Sequence, residues 1–124
     1  MNAGTIFVVE DEGLIALHLM ELLSKEGFTV PDPVATGEDL LENLATLTHP
    51  DLILMDIGLA GKIDGIETAR RVRKQYDIPV IFLTAFSDKN RIKEAQEISP
   101  YGYLMKPVMS RDLLIAVRNA LSSR

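Results

Sequence analysis

Carboxylates stand where two apolar runs of this chain end. Thr5-Ile6-Phe7-Val8-Val9 leads into Glu10-Asp11-Glu12, and Leu52-Ile53-Leu54-Met55 leads into Asp56. Two further runs end in Thr84 and just before Lys106. Carboxylates gathered at one place raise each other's pKa by repulsion unless a cation lies between them. Oxygen ligands without His or Cys suit a hard ion such as Mg²⁺, which keeps several waters and uses few carboxylates. Lys106 adds a point charge able to hold a phosphoryl oxygen or to pair with Asp56. A divalent metal and a lysine together neutralise the charge on a transferring phosphoryl group. Asp56 could then act as the nucleophile and form an acyl phosphate. The competing reading is that these are caps and turn acids at strand ends. Any one residue alone favours that reading; the combination favours chemistry.

The elements around these residues decide whether they meet. Leu52 to Met55 is too short and too uniformly apolar for an amphipathic helix, and Pro50 and Gly58 bound it. It reads as a strand buried on both faces, as does Pro79-Val80-Ile81-Phe82-Leu83. Thr5 to Val9 is a first strand and Tyr101 to Met105 a last one. Phe28 to Ala35 is extended, but Pro31 and Pro33 cannot donate to a ladder, which puts it at a sheet edge. Between these runs lie helical patterns. Leu14, Leu17 and Leu22 recur up to Gly27, which supplies a stop; Leu40, Leu41, Leu44 and Leu47 follow a capping signature at Thr36-Gly37-Glu38-Asp39. Asp64-Gly65-Ile66-Glu67 repeats that signature ahead of Ile66, Ala69, Val72 and Tyr76. Ser87 is expected to cap a short helix with Ile92, Ala95 and Ile98 inward, and Ser110 a last one with Leu113, Leu114, Val117 and Leu121.

Strand and helix thus alternate five times with short connections, the pattern of an α/β fold with a parallel sheet and helices on both faces. Right-handed crossovers gather the strand C-termini at one rim, and with them Glu10, Asp11, Asp56, Thr84 and Lys106.

The 124 residues suit one domain, 1–124, with about 4–122 structured. With no cysteine, disulfides, thiolate catalysis and sulfur-ligated zinc are excluded. The net charge of −5 argues against direct nucleic-acid binding, which wants a basic surface. That charge is uneven. Met1 to Phe86 holds six Lys and Arg against fourteen Asp and Glu, whereas Ser87 to Arg124 holds seven against four. The basic third is a partner face or ordinary solvated helix. No apolar run nears the ~18 residues of a membrane span and no export signal is apparent, so a cytoplasmic protein is expected. His18 and His49 read as surface or packing residues, and the five methionines as core fillers.

The chain resembles, from end to end, the receiver domains of two-component response regulators. The resemblance rests on Val8-Val9-Glu10-Asp11, Pro50-Asp51-Leu52-Ile53-Leu54-Met55-Asp56, Asp64-Gly65, Pro79-Val80-Ile81-Phe82-Leu83-Thr84-Ala85 and Tyr103-Leu104-Met105-Lys106-Pro107, in that order. It implies a flavodoxin-like fold, five parallel strands in the order 2-1-3-4-5 doubly wound by five helices. It implies that Asp56 accepts a phosphoryl group from a sensor histidine kinase or phosphotransfer protein. Mg²⁺ would be held by Asp11, Asp56 and the Gly58 backbone carbonyl, with Glu10 acting through water. Thr84 and Lys106 would hold phosphoryl oxygens, Thr84 and Tyr103 would form the conformational switch, and the Lys106-Pro107 bond would be cis. The fourth helix, fifth strand and fifth helix would be the output face toward a partner or attached domain, with a homodimer among the open states. Such a domain is no enzyme beyond catalysing its own phosphorylation and dephosphorylation.

Two departures stand out. Asp56 to Gly65 is nine steps rather than the family's usual eight, with Ala60-Gly61 where a proline is usual. The two positions that tune phosphoryl lifetime in the family hold Gly58 and Phe86. Three rivals remain. An aspartyl-nucleophile phosphatase commonly wants a second acid two residues on, where Gly58 stands. A flavin module wants an amide-rich loop after the first strand, where Glu10-Asp11-Glu12 would repel its phosphate. An interaction module that works without phosphorylation is opposed by the intact acceptor set.

Overall fold

The computed structural model describes residues 3–46, 48–99 and 101–123, and for Phe86 the backbone only. Leu47, expected to extend the second helix, lies outside them. The elements are β1 (Ile6–Val9), α1 (Gly13–Lys25), α2 (Gly37–Thr46), β2 (Leu52–Asp56), α3 (Gly65–Gln75), β3 (Val80–Thr84), a 3-10 turn (Phe86–Arg91), α4 (Ile92–Ile98), β4 (Tyr103–Met105) and α5 (Ser110–Ser122). Each strand pairs in parallel with the next, in the order β1-β2-β3-β4.

Alternation of side chains along the strands builds two cores. Phe7, Val9, Ile53, Met55, Val80 and Phe82 face Leu40 and Leu44 of α2, Ile66 and Val72 of α3, and Ala95 of α4. Ile6, Val8, Leu52, Leu54, Ile81 and Leu83 face Leu19 and Leu23 of α1 and Leu113 and Val117 of α5. Helices therefore cover both faces, as the alternating pattern requires. Among the described residues no helix is long and apolar enough to cross a membrane.

The expected five-stranded order 2-1-3-4-5 is corrected. The segment after α1 runs beside β1 where a second strand was expected, but it forms only isolated bridges, Thr5 with Thr29 and Val9 with Val34. Ile6 N–H reaches Thr29 O at 2.9 Å and Val34 N–H reaches Val8 O at 3.1 Å. Between them lie Pro31 and Pro33, which have no N–H to give. The sheet thus has four strands, edged by a tethered segment.

Helix ends differ in detail from expectation. Gly27, with φ 92°, ends α1 as expected. Thr36 Oγ1 accepts the Asp39 N–H at 3.1 Å, and Asp64 Oδ1 accepts the Glu67 N–H at 2.9 Å. Neither forms a full reciprocal box, and the Glu67 carboxylate pairs instead with Arg70 and Arg71. Ser87 lies inside a 3-10 turn that the chain makes first, where Asp88 accepts the Ala85 N–H at 3.2 Å. Ser110 is inside α5, whose cap residue is Met109. Asp64 also pairs with Arg91, which ties the start of α3 to the segment entering α4.

Candidate functional site

Four chain ends converge at the C-terminal rim of the sheet. Glu10 follows β1, Asp56 ends β2, Thr84 ends β3, and Lys106 follows β4. Asp56 lies opposite Leu83 in the ladder, one residue before Thr84. The Lys106 N–H donates to Thr84 O at 2.8 Å, and this draws the lysine to the same rim. Its ammonium reaches Glu10 Oε1 at 2.7 Å and Asp56 Oδ2 at 3.2 Å. The Lys106-Pro107 bond is cis, as expected.

Glu10, Asp11 and Asp56 each offer one carboxylate oxygen, and these oxygens lie within 4.8 Å of one another. Glu10 and Asp56 are buried, at 3% and 4% exposure, while Asp11 is exposed. Glu10 Oε2 accepts the Glu12 N–H at 3.1 Å. Its buried Oε1 faces the Lys106 ammonium at 2.7 Å and meets no other donor among the described residues. An all-oxygen set of three carboxylates, two of them buried, fits a hard divalent cation such as Mg²⁺. Asp11 and Asp56 would hold it. Such a cation supplies charge neutralisation at a phosphoryl group. Asp56 Oδ1 also accepts the Gly58 N–H at 3.2 Å, which orients the Asp56 carboxylate.

Burial is the largest influence on Glu10 and pushes its carboxyl up to about 7, against the pull of Lys106 and the Glu12 amide. Burial also works against the Lys106 charge, but Glu10 and Asp56 outweigh it and hold the lysine above its usual value. The Glu10 shift predicts a pH dependence of stability. Between its ordinary 4.5 and about 7, the folded metal-free protein holds a proton that the unfolded chain has released. This contribution is therefore complete below about 4.5 and is lost as pH rises through about 7. The unfolding free energy from urea titrations in chelator should be lower at pH 8 than at pH 5 by roughly 1–3 kcal/mol. Glu10→Gln should flatten that slope, and an equal slope in the variant would contradict the assignment.

Not every expected residue joins the cluster. Thr84 is fully buried, and its hydroxyl donates to Ala85 O at 3.3 Å, with Met105 Sδ at 3.6 Å. Tyr103 is 38% exposed and stands at the edge of the sheet. The side chain of Phe86 lies outside the described residues. His18 is exposed, and His49, also exposed, bonds Leu44 O at 2.9 Å and meets the Tyr76 ring edge-on at 4.6 Å.

Two acids escaped the sequence reading. Asp88 has its carboxylate 3.6 Å from where a Gly58 side chain would begin, so the space beside Gly58 is bordered by a further acid. Glu38, counted only within a capping run, accepts N–H groups of the loop after β2. Nothing in a spacing of 24 and 25 residues announces that contact.

Residues 6–118 match the response regulator receiver domain family, and the chain belongs to that family. Its place is thus in two-component, phosphorylation-based signalling. It is similar to the transcriptional regulatory protein PdtaR of Mycobacterium tuberculosis, 34% identical over 117 residues that cover 94% of this chain and 56% of that protein. It is also similar to the transcriptional regulatory protein AfsQ1 of Streptomyces coelicolor, 36% identical over 94% of this chain and 51% of that one. The chain therefore spans about half the length of these relatives. Among solved structures, the signal receiver domain of a modulated diguanylate cyclase from Desulfovibrio desulfuricans superposes with a TM-score of 0.88 at 33% identity, covering 97% of this chain and 94% of that one.

Proposed function

We propose that the domain is a phosphorylation-controlled switch whose acceptor is Asp56. The observation that carries this reading is the buried Asp56 carboxylate, held between the Lys106 ammonium and the Gly58 amide beside Glu10 and Asp11. Asp56 attacks a phosphoryl donor, a sensor histidine kinase or phosphotransfer protein in the cell, and the P–O bond to the carboxylate forms as the bond to the donor breaks. Lys106 holds one phosphoryl oxygen. Asp11, Asp56 and the Gly58 carbonyl would hold Mg²⁺, with Glu10 acting through water, and the metal would supply charge neutralisation. The Thr84 hydroxyl turns from Ala85 O toward the new dianion, and Tyr103, now exposed at the sheet edge, moves toward the space it leaves.

The readout is a change in the face formed by α4, β4 and α5, where Tyr103, Met105, Met109 and Ile115 are exposed. A bias of a few kcal/mol suffices to shift such a two-state population substantially. The domain catalyses only its own phosphorylation and dephosphorylation, works in the cytoplasm, and controls a partner or attached output domain without touching nucleic acid itself.

Intact mass after incubation with acetyl phosphate tests the reading. One phosphoryl group should be gained with Mg²⁺ and almost none in chelator. No gain, with Mg²⁺ shown to bind, would favour the interaction module that works without phosphorylation.

A further inference from the structure

The loop from β2 to α3 is fixed at its base by the backbone. Ile57 N–H donates to Leu83 O at 2.9 Å, and Gly65 N–H returns to Ile57 O at 2.9 Å. Its outer part, residues 60–63, is held by two carboxylates from other elements. Asp11 Oδ2 accepts the Ala60 N–H at 3.3 Å. Glu38 Oε1, from the first turn of α2, accepts the Lys62 N–H at 3.1 Å and the Ile63 N–H at 3.0 Å. Between them Gly61 adopts φ +104°, and a Cβ there would stand 2.8 Å from Glu38 Oε2, so the chain wraps closely over the glutamate.

Glu38 does not cap its own helix through the usual position, since Thr36 takes that role. Its carboxyl is held below the usual range, first by the Ile63 N–H, and so remains an ionised acceptor at neutral pH. Hydrogen bonds to an ionised acceptor are stronger than those between neutral groups. Residues 62 and 63 follow Gly58 by a few steps, and Ala60, between them, touches the Asp11 carboxylate. A loop fixed at 62–63 has fewer conformations to lose when a ligand orders its inner part.

We propose that Glu38 is a positioning residue for the acceptor loop. By fixing the backbone at Lys62 and Ile63 it holds the Gly58 carbonyl and the Ala60–Asp11 contact in the arrangement that receives Mg²⁺. The proposal rests on the reading of this rim as a Mg²⁺-dependent phosphoacceptor. Without Glu38 the two amides turn to water and the loop must be ordered by the metal itself.

The test compares the wild-type domain with Glu38→Ala and Glu38→Gln. Mg²⁺ affinity is measured by calorimetry, amide hydrogen exchange at Lys62 and Ile63 by NMR, and folding by thermal unfolding. Glu38→Ala should weaken Mg²⁺ binding about fivefold and speed exchange at both amides about tenfold, while the melting temperature moves by only a few degrees. Glu38→Gln keeps an oxygen acceptor in place without its charge and should fall between Glu38→Ala and wild type. An unchanged Mg²⁺ affinity in Glu38→Ala, or a Glu38→Gln variant as impaired as Glu38→Ala, would overturn the role of Glu38 and leave the phosphoacceptor reading standing. A wild-type domain that binds no Mg²⁺ would overturn both.

Discussion

Asp56→Asn is expected to take up no phosphoryl group from acetyl phosphate, with or without Mg²⁺, while remaining folded. The amide lacks the anionic oxygen that attacks phosphorus, so the step is lost rather than slowed. The fold should survive because the local hydrogen bond survives: an asparagine Oδ1 can still accept the Gly58 N–H that Asp56 Oδ1 accepts at 3.2 Å. Electrostatics favour the variant. Asp56 is one of the charges that raise the Glu10 carboxyl, and Lys106 stays paired with Glu10 at 2.7 Å. Removing one carboxylate from this cluster relieves repulsion, so the melting temperature should hold or rise by a few degrees. Intact mass and circular dichroism check the two halves together. A folded variant with an undiminished mass gain would place the acceptor elsewhere.

Gly65→Ala is expected to be the most destabilising small substitution near the site. A Cβ at Gly65 would stand 1.9 Å from the Asp56 carbonyl oxygen, 2.8 Å from its carbon and 2.9 Å from Ile57 Cα. All three are backbone atoms of the strand end, so no side chain can swing away. Either α3 or the end of β2 must move. Overpacking of this kind costs about 3 kcal/mol or more, and at this chain length that is a fall in melting temperature on the order of 10 °C. The same shift would displace the acceptor and slow phosphorylation. Gly58→Ala is the control: its nearest atoms are the Asp88 carboxylate oxygens at 3.6 and 3.7 Å, ordinary contact distances. It should stay within about 0.5 kcal/mol of wild type. Equal melting temperatures for the two variants would contradict the close passage of α3 over the strand end.

The contrast between these positions marks what a sequence can reveal. Runs such as Leu52 to Met55 disclose buried strands because every residue faces a core, and the alternation of Phe7 with Val8 separates into the two cores observed. The rim follows from topology, so Glu10, Asp56 and Lys106 could be brought together before any coordinates. Pro31 and Pro33 were legible as an edge signal, yet not as the loss of a strand, because that depends on which N–H groups the ladder needs. Ser87 and Asp88 are both able caps, and only the backbone path selects Asp88. Glu38 was invisible because its partners are backbone amides across the fold, which leave no mark on residue type.

Chemical trapping locates the phosphoryl group, which is expected on Asp56. The domain is phosphorylated with acetyl phosphate and Mg²⁺, reduced with borohydride, digested and mapped by mass spectrometry. Reduction of an aspartyl phosphate converts that residue to homoserine. Homoserine is expected at position 56 alone. Reduction at Asp11 or Asp88 with Asp56 intact would contradict it.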